Sequence, residues 1–371
     1  MSDDGRERSR SPTRWLRWLD DTDTRRIEEF GGKTASLSRL RAAGVSTPDG
    51  FAIGASAYIE AIRLAGIERR LAEAVQLAER EPALASEQSA LCRELINNMT
   101  IPAELEQEIV VAYGQLASRH AEKCPKMAVR SSAIREDSSS ASGAGQYETV
   151  LGVSGMKAVL AAVKTCWASL FSEHAMHYRA GQGIALAETP MAVAIIELVE
   201  AHASGVAFSV HPVTGKPDRM VVESTYGWGE ALVQGRITPD HFEVDRDDHR
   251  VLQRRVGNKA VISTWNDEGD RIVERQMPEA LQRECSLTDA QVKLITRELL
   301  AIEREFGGSI DMEWVIPRAR EDEAIIVQAR PETVHRLTFE ELSNRRSGAA
   351  FDPIAFAMQK TFGADAKRTK P

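Results

Sequence analysis

The sequence lacks the features that would place it in several familiar protein classes. Its four cysteines are widely spaced and form no CxxC pair, so neither a structural zinc site nor a disulfide framework is predicted. No apolar run approaches the length that spans a bilayer, and the polar first residues lack the apolar core of a signal peptide. A net charge of −8 argues against nucleic acid as the main partner. We therefore expect a cytoplasmic protein with neither a membrane nor a nucleic acid as partner.

The length of 371 residues exceeds that of a usual single domain, so two lobes with a ligand between them are expected. A helical pattern dominates from Ile53 to about His120, and strand-like runs follow Pro190. We predict a disordered tail at residues 1–20, although RWLRWLDD at residues 14–21 suggests a short packing element. We further predict a helix-rich lobe at 21–189, a sheet-rich lobe at 190–335 and a tail or docking arm at 336–371.

The segment DMEWVIPRAREDEAIIVQARPET is predicted to form an antiparallel strand pair around the connection at residues 317–323. Side chains two apart on a strand share a face, so Asp311 and Glu313 point the same way. Pairing the strands sets Glu313 opposite Gln328, with Arg330 on the same face. Oxygen ligands of this kind suit Mg²⁺, and an adjacent arginine suits phosphate oxygens. The alternative is a solvated sheet face that carries a salt bridge.

Two further segments could meet phosphate groups. Lys33 follows two glycines at the start of a helix-like run, where backbone N–H groups and an ammonium can both face an anion. The GxxxxGK[ST] pattern is absent, and a simple helix-entry turn is the alternative. The loop at residues 136–147 is rich in Ser, Gly and Ala, which suits either a mobile lid over phosphates or a flexible linker.

Five motifs occur in one order along the chain: FGGKTASLSRLRAAGVSTPDGFAIGASAY, MAVRSSAIREDSSSASGAGQYET, SGVAFSVHPVTGK, ESTYGWGEALVQGRITPD and DMEWVI…IIVQARPET. Together they resemble the nucleotide-binding region of the phosphoenolpyruvate synthase and pyruvate phosphate dikinase family, from about Phe30 to Thr333. The resemblance implies an α+β, ATP-grasp fold with two lobes and the nucleotide in the cleft between them.

The resemblance also assigns roles to individual residues. It implies that Lys33 and Arg130 bind the phosphates of ATP, and that Arg330 neutralises charge on the transferred group. It implies that Glu313 and Gln328 bind Mg²⁺, with Asp311 beside them.

Further nucleotide contacts are implied along the chain. Gly143 and Gly145 belong to the lid segment, where Gly143 replaces the aromatic residue that the family usually has, and Thr149 follows that segment. Glu197, Leu198 and Val199 occupy the position of the inter-lobe hinge, whose backbone meets adenine, although the family often has Gln where this chain has Glu197. Glu223 resembles an acidic residue on the ribose or metal side.

The histidine that accepts the phosphoryl group in full-length relatives has no counterpart here, because none of the eight histidines lies in a Gly-rich TSH-like context. We therefore expect a stand-alone subunit like the ATP-binding subunit of phenylphosphate synthase, active in a hetero-oligomer with a histidine-bearing phosphocarrier subunit. It would release AMP and phosphate, and the final acceptor would be phenol or a similar alcohol. The alternatives are pyruvate or an antibiotic hydroxyl as acceptor, and a non-catalytic subunit that senses ATP or acts as a scaffold.

Overall fold

The computed structural model describes residues 13–119, 125–134, 147–185, 189–269, 271–332 and 335. The described part of the chain divides into two compact units. Of the described residues, the first unit contains 13–38, 49–119, 125–134, 147–185 and 189–198, and the second contains 39–48, 199–269, 271–332 and 335. Both combine helices with antiparallel sheet, as the predicted α+β class requires. Among the described helices, none is both long enough and apolar enough to cross a membrane.

The first unit is built on a five-stranded antiparallel sheet whose strands follow the order β1-β2-β5-β3-β4. These strands are β1 Leu16–Trp18, β2 Gly50–Ile53, β3 Met127–Ala133, β4 Thr149–Val153 and β5 Met191–Glu197. The helices are α1 Ile27–Ala42, which continues into the second unit, α2 Ala55–Leu64, α3 Glu68–Arg80, α4 Ala85–Asn98, α5 Ala103–Ala117, α6 Met156–Ala168 and α7 Glu173–Gln182. The apolar faces of α2 to α7 form one core with the sheet.

The second unit contains a six-stranded antiparallel sheet in the order β13-β12-β6-β7-β8-β9. Its strands are β6 Ala201–Phe208, β7 Arg219–Tyr226, β8 Asp240–Asp245, β9 Val251–Arg255, β12 Ile310–Pro317 and β13 Ile325–Pro331. Strands β10 Val261–Trp265 and β11 Ile272–Gln276 form a separate hairpin, and the helices are α8 Glu230–Val233, α9 Glu279–Gln282 and α10 Asp289–Phe306.

Helix α10 covers one face of this sheet and leaves the other face to polar side chains. Thr288 caps the helix in a capping box with Gln291. Val292, Ile295 and Leu299 of α10 are fully buried, and the core-facing residues of β12 and β8 are buried as well. The arrangement is typical of antiparallel sheets, in which inward apolar residues alternate with outward polar ones.

Two predicted boundaries are wrong. The tail was placed at residues 1–20, but Leu16–Trp18 forms a strand paired with β2, and Trp15, Leu16, Trp18 and Leu19 are buried in the core. The second lobe was placed from residue 190, but β5 lies in the first unit between β2 and β3. The run MAVAIIE is apolar on both faces, because a central strand is covered on both sides.

Candidate functional site

The predicted strand pair β12–β13 carries its polar residues in register. Glu313 lies directly opposite Gln328, and Asp311 lies directly opposite Arg330. Directly opposite residues of an antiparallel pair share a face with side chains about 5 Å apart. The predicted pairing of Glu313 with Gln328 is therefore confirmed.

Asp311 and Arg330 form a paired unit within this patch. The Arg330 guanidinium donates from Nε and Nη2 to one carboxylate oxygen of Asp311, at 2.9 and 2.6 Å. The two side chains are 14% and 20% exposed. Burial raises the pKa of Asp311, although the neighbouring Arg330 acts to lower it. Asp311 was predicted among the metal ligands. This contact favours a different role, in which Asp311 orients the Arg330 guanidinium.

Glu313 and Gln328 present oxygen atoms from neighbouring strands, which is the donor set that Mg²⁺ prefers. No group of three or more His, Cys, Asp or Glu side chains that could hold a metal ion is found in the described part of the chain. Mg²⁺ usually binds through one or two protein oxygens and completes its shell with water and substrate phosphates. The patch fits such an ion and does not form a protein-only metal cage.

The same sheet face continues across β6 to β7 and β8. Glu313 aligns with Val206, Val206 with Glu223, and Glu223 with His241, so all four lie in one row. His241 lies with Nδ1 3.5 Å from Oε1 of Glu223. The sequence prediction included Glu223 and missed His241. The alternation in HFEVD could have indicated His241, because it places His241 and Glu243 on one face of the strand.

His211 and Glu243 extend this polar row. His211 Nε2 and His241 Nε2 each lie 3.9 Å from Oε1 of Glu243. His211 Nδ1 accepts hydrogen bonds from the backbone N–H groups of Val213 and Thr214, at 3.2 and 3.4 Å. Burial lowers the pKa of His211, which is 3% exposed. Because Nδ1 accepts these hydrogen bonds, the proton of the neutral imidazole lies on Nε2, which faces Glu243.

The glycine turn before Lys33 is attached to strand β3. Helix α1 is kinked at Gly31, whose φ of 72° and ψ of 169° are not helical. Ser132 Oγ donates to the carbonyl of Phe30 at 2.8 Å and accepts from the N–H of Thr34 at 3.1 Å. The helix resumes after Gly31, so Lys33 lies in its first turn, where backbone N–H groups favour anions.

Arg130 and Thr149 lie on the sheet face that meets this turn. They are directly opposite each other on β3 and β4, and Ser132 is two residues from Arg130 on the same face. The structure thus brings Lys33, Arg130 and Thr149 to one region through Ser132, which sequence reasoning missed. The predicted lid residues Gly143 and Gly145 lie outside the described residues.

The predicted hinge lies where the chain passes from the first unit into the second, between Leu198 and Val199. Within the first unit, the N–H of Glu197 donates to the carbonyl of Asp49 at 2.8 Å, and the N–H of Leu198 donates to Lys126 at 2.9 Å. Most of the local N–H groups are therefore already engaged in backbone hydrogen bonds.

Comparison with known proteins places these motifs in one family. Residues 27–347 match the family model described as pyruvate phosphate dikinase, AMP/ATP-binding domain. The phosphoenolpyruvate synthase of Aeropyrum pernix is 34% identical over 349 residues, covering 86% of this chain and 42% of the relative. The probable phosphoenolpyruvate synthase of Archaeoglobus fulgidus is 35% identical over 325 residues, with 86% and 42% covered. The chain therefore spans less than half of the length of these relatives.

Proposed function

Because the chain belongs to the family of pyruvate phosphate dikinase AMP/ATP-binding domains, we propose that it binds Mg·ATP and starts a phosphoryl transfer whose final acceptor is pyruvate. The relatives named phosphoenolpyruvate synthase favour pyruvate over the phenolic acceptor that was expected first. An ATP-grasp fold is part of the proposal.

The observation that carries the proposal is the register of β12 and β13. It sets Glu313 against Gln328 and Asp311 against Arg330 on one face. Glu313 and Gln328 would hold Mg²⁺, which neutralises the phosphate charge in such sites. The Arg330 guanidinium, held by Asp311, would stabilise charge on the transferred phosphoryl group.

The first unit carries candidate phosphate contacts of its own. Lys33 lies in the first turn of a helix, and Arg130 and Thr149 lie together on the adjoining sheet face. A cation, a guanidinium and a hydroxyl at a helix N-terminus suit a polyphosphate chain. Positioning and neutralisation of charge are what phosphoryl transfer mainly requires from a protein.

The second part of the proposal concerns the phosphoryl acceptor. One phosphoryl group of ATP passes to a histidine nitrogen, and water hydrolyses the other phosphoanhydride bond, which yields AMP, phosphate and phosphohistidine. The histidine would reside on another domain or on a partner subunit, and it would pass the phosphoryl group to pyruvate. The match to the AMP/ATP-binding domain concerns nucleotide binding alone. The transfer to histidine and pyruvate is therefore tested directly.

The test uses ATP labelled at the β-phosphate, with Mg²⁺ and an extract of the source cells as the supply of acceptor proteins. We expect AMP and an acid-labile, base-stable label on a polypeptide, both dependent on this chain. Glu313→Gln and Arg330→Gln should each lower the labelling at least tenfold, since each removes a charge at the transferred group. Glu79→Gln and Arg283→Gln change exposed residues and should leave it unaffected.

The acceptor follows from a second step with the labelled protein. Pyruvate should discharge the label, whereas phenol and cresols should not. If phenol but not pyruvate removes the label from the protein, the final acceptor is a phenol rather than pyruvate. ATP binding without AMP formation or protein labelling would contradict the catalytic proposal and favour a non-catalytic ATP-binding role.

A further inference from the structure

Helix α2 begins without a side-chain cap of its own. Its N-cap residue is Gly54, and its first turn contains no acidic residue. The first N–H groups of a helix have no partner within the helix, so they need an acceptor from elsewhere. The carboxylate of Glu29 provides one, because its Oε1 accepts from the N–H of Ser56 at 3.3 Å and from Ser56 Oγ at 2.6 Å. A side chain of α1 therefore caps α2.

Gly54 leaves the space that this carboxylate occupies. A Cβ at residue 54 would lie 2.1 Å from Oε1 of Glu29 and 3.0 Å from its Cδ. The backbone of Gly54, with φ −67° and ψ 157°, is open to any residue, so the close approach of Glu29 is what favours glycine here. A negative charge is also favourable at this end of a helix, where the macrodipole is positive. Both segments are thus adapted to the contact.

The contact attaches the single helical turn that precedes the kink of α1. That turn is Ile27–Phe30, and one turn is not stable on its own. Phe30 is buried, whereas Ile27 is 50% exposed. The carbonyl of Phe30 accepts from Ser132 Oγ, and the side chain of Glu29 binds α2. These two attachments hold the chain immediately before the glycine turn.

We propose that Glu29 is a positioning residue for phosphate binding, because its hydrogen bonds to α2 fix the glycine turn and with it Lys33. A turn that loses these bonds gains conformational freedom, and an anion that binds Lys33 would then have to order it. Glu29 is itself negative and repels phosphate, so it favours binding through position alone. This inference rests on the proposed function, since it requires that Lys33 bind phosphate.

The test compares Glu29→Ala and Glu29→Gln with the wild-type protein in titrations with inorganic tripolyphosphate and Mg²⁺. Glu29→Ala removes the acceptor, and we expect the dissociation constant to rise about three- to tenfold, which corresponds to the cost of ordering the turn. Glu29→Gln keeps an acceptor oxygen and removes the charge, so its affinity should equal or exceed that of the wild type. Loss of the charge alone would strengthen anion binding in both variants, so the pair separates position from charge.

Ser172→Ala is the matched control. It removes the side-chain cap of α7, in which Ser172 Oγ accepts from the N–H of Ala175 at 3.1 Å, within the same unit. This variant should lose stability to a similar degree without a change in tripolyphosphate affinity. Ser56→Ala removes the hydroxyl that donates to Glu29, so it should weaken binding in the same direction as Glu29→Ala. The double variant should bind no more weakly than Glu29→Ala, because the two groups act as one pair.

Three results would overturn the inference: unchanged or higher affinity in Glu29→Ala, an equal loss in Glu29→Gln, or a loss of the same size in Ser172→Ala. If Glu29→Ala does not fold, Ser56→Ala carries the test, and an unchanged affinity there has the same consequence. Failure of the proposed function is a separate result. A wild-type protein that binds neither ATP nor tripolyphosphate would refute that function, and the inference would fall with it.

Discussion

Substitution of Gly31 by alanine should detach the glycine turn from strand β3. The backbone at Gly31, with φ 72° and ψ 169°, lies in a region that is essentially restricted to glycine. A Cβ there would lie 2.1 Å from the carbonyl oxygen of Ser132 and 2.5 Å from Ser132 Oγ. The first of these atoms belongs to the central part of the sheet, so the turn must move.

The cost follows from what moves. Backbone strain of this kind costs about 1–3 kcal/mol. Displacement of the turn also breaks the hydrogen bonds from Ser132 Oγ to Phe30 and from Thr34 to Ser132 Oγ, at about 1 kcal/mol each. We therefore expect Gly31→Ala to destabilise the first unit by about 3–5 kcal/mol, which is a large part of the stability of a typical domain.

Gly66→Ala provides the matched control. Gly66 also has a positive φ, of 64°, but a Cβ there would have no heavy atom within 4 Å. Its cost should be limited to about 1–2 kcal/mol of backbone strain. Hydrogen exchange of peptides from α1 and β3 measures local opening in both variants.

A second readout connects the turn to its proposed role. Tripolyphosphate affinity should fall in Gly31→Ala, because Lys33 follows the displaced turn, and it should be unchanged in Gly66→Ala. If the α1 and β3 peptides exchange equally slowly in the two variants, the predicted clash between a Cβ at residue 31 and Ser132 is refuted. Unchanged tripolyphosphate affinity in Gly31→Ala would separate the turn from phosphate binding.

Three further predictions concern the second unit. Asp311→Asn should keep the fold, since it removes a buried charge, but should weaken tripolyphosphate binding roughly tenfold because Arg330 loses a charge-assisted anchor; unchanged calorimetric affinity would contradict this. Lys259→Met should cost about 3–5 kcal/mol in urea unfolding, because it leaves Asp240 charged and fully buried. Addition of Asp240→Asn should recover part of that loss, and strictly additive costs would argue against the pair. Burial lowers the pKa of His211, so the unfolded chain takes up this proton first and stability should fall as the pH drops below about 6.5. His211→Asn should reduce this slope in unfolding curves between about pH 5 and 7.5, and an unchanged slope would show that His211 does not cause it.

The strand pair β12–β13 was predictable because its polar residues alternate with apolar ones around a charged connection. The boundary between the units was not, since MAVAIIE has the same apolar character in either lobe, and only its pairing with β2 and β3 assigns it. The β10–β11 hairpin was also missed, because each of its strands is only five residues long and the pair stands apart from the main sheets.

Contacts between distant segments were harder to predict than the segments themselves. Lys33 and Arg130 were selected by resemblance, but nothing local shows that Ser132 contacts Phe30 and Thr34, which lie about a hundred residues earlier in the chain. The hydrogen bond from Trp228 Nε1 to the carbonyl of Val199 is equally invisible, because the sequence favours a packing role for a tryptophan in a glycine-rich loop. Tertiary contacts of this kind decide between local alternatives, such as a simple helix-entry turn and a phosphate site at Lys33.

A bulge at Val327 explains why Gln328 reaches the polar face. Ile326 pairs with Trp314 on the core face, and it is fully buried. In a regular strand Gln328, two residues further on, would share that face. The register shifts between Glu313 and Trp314, so one extra residue of β13 is accommodated and Gln328 points with Glu313 instead. Bulges are frequent next to functional sites because they redirect a side chain, and here the redirected residue is the amide proposed to complete the Mg²⁺ ligands.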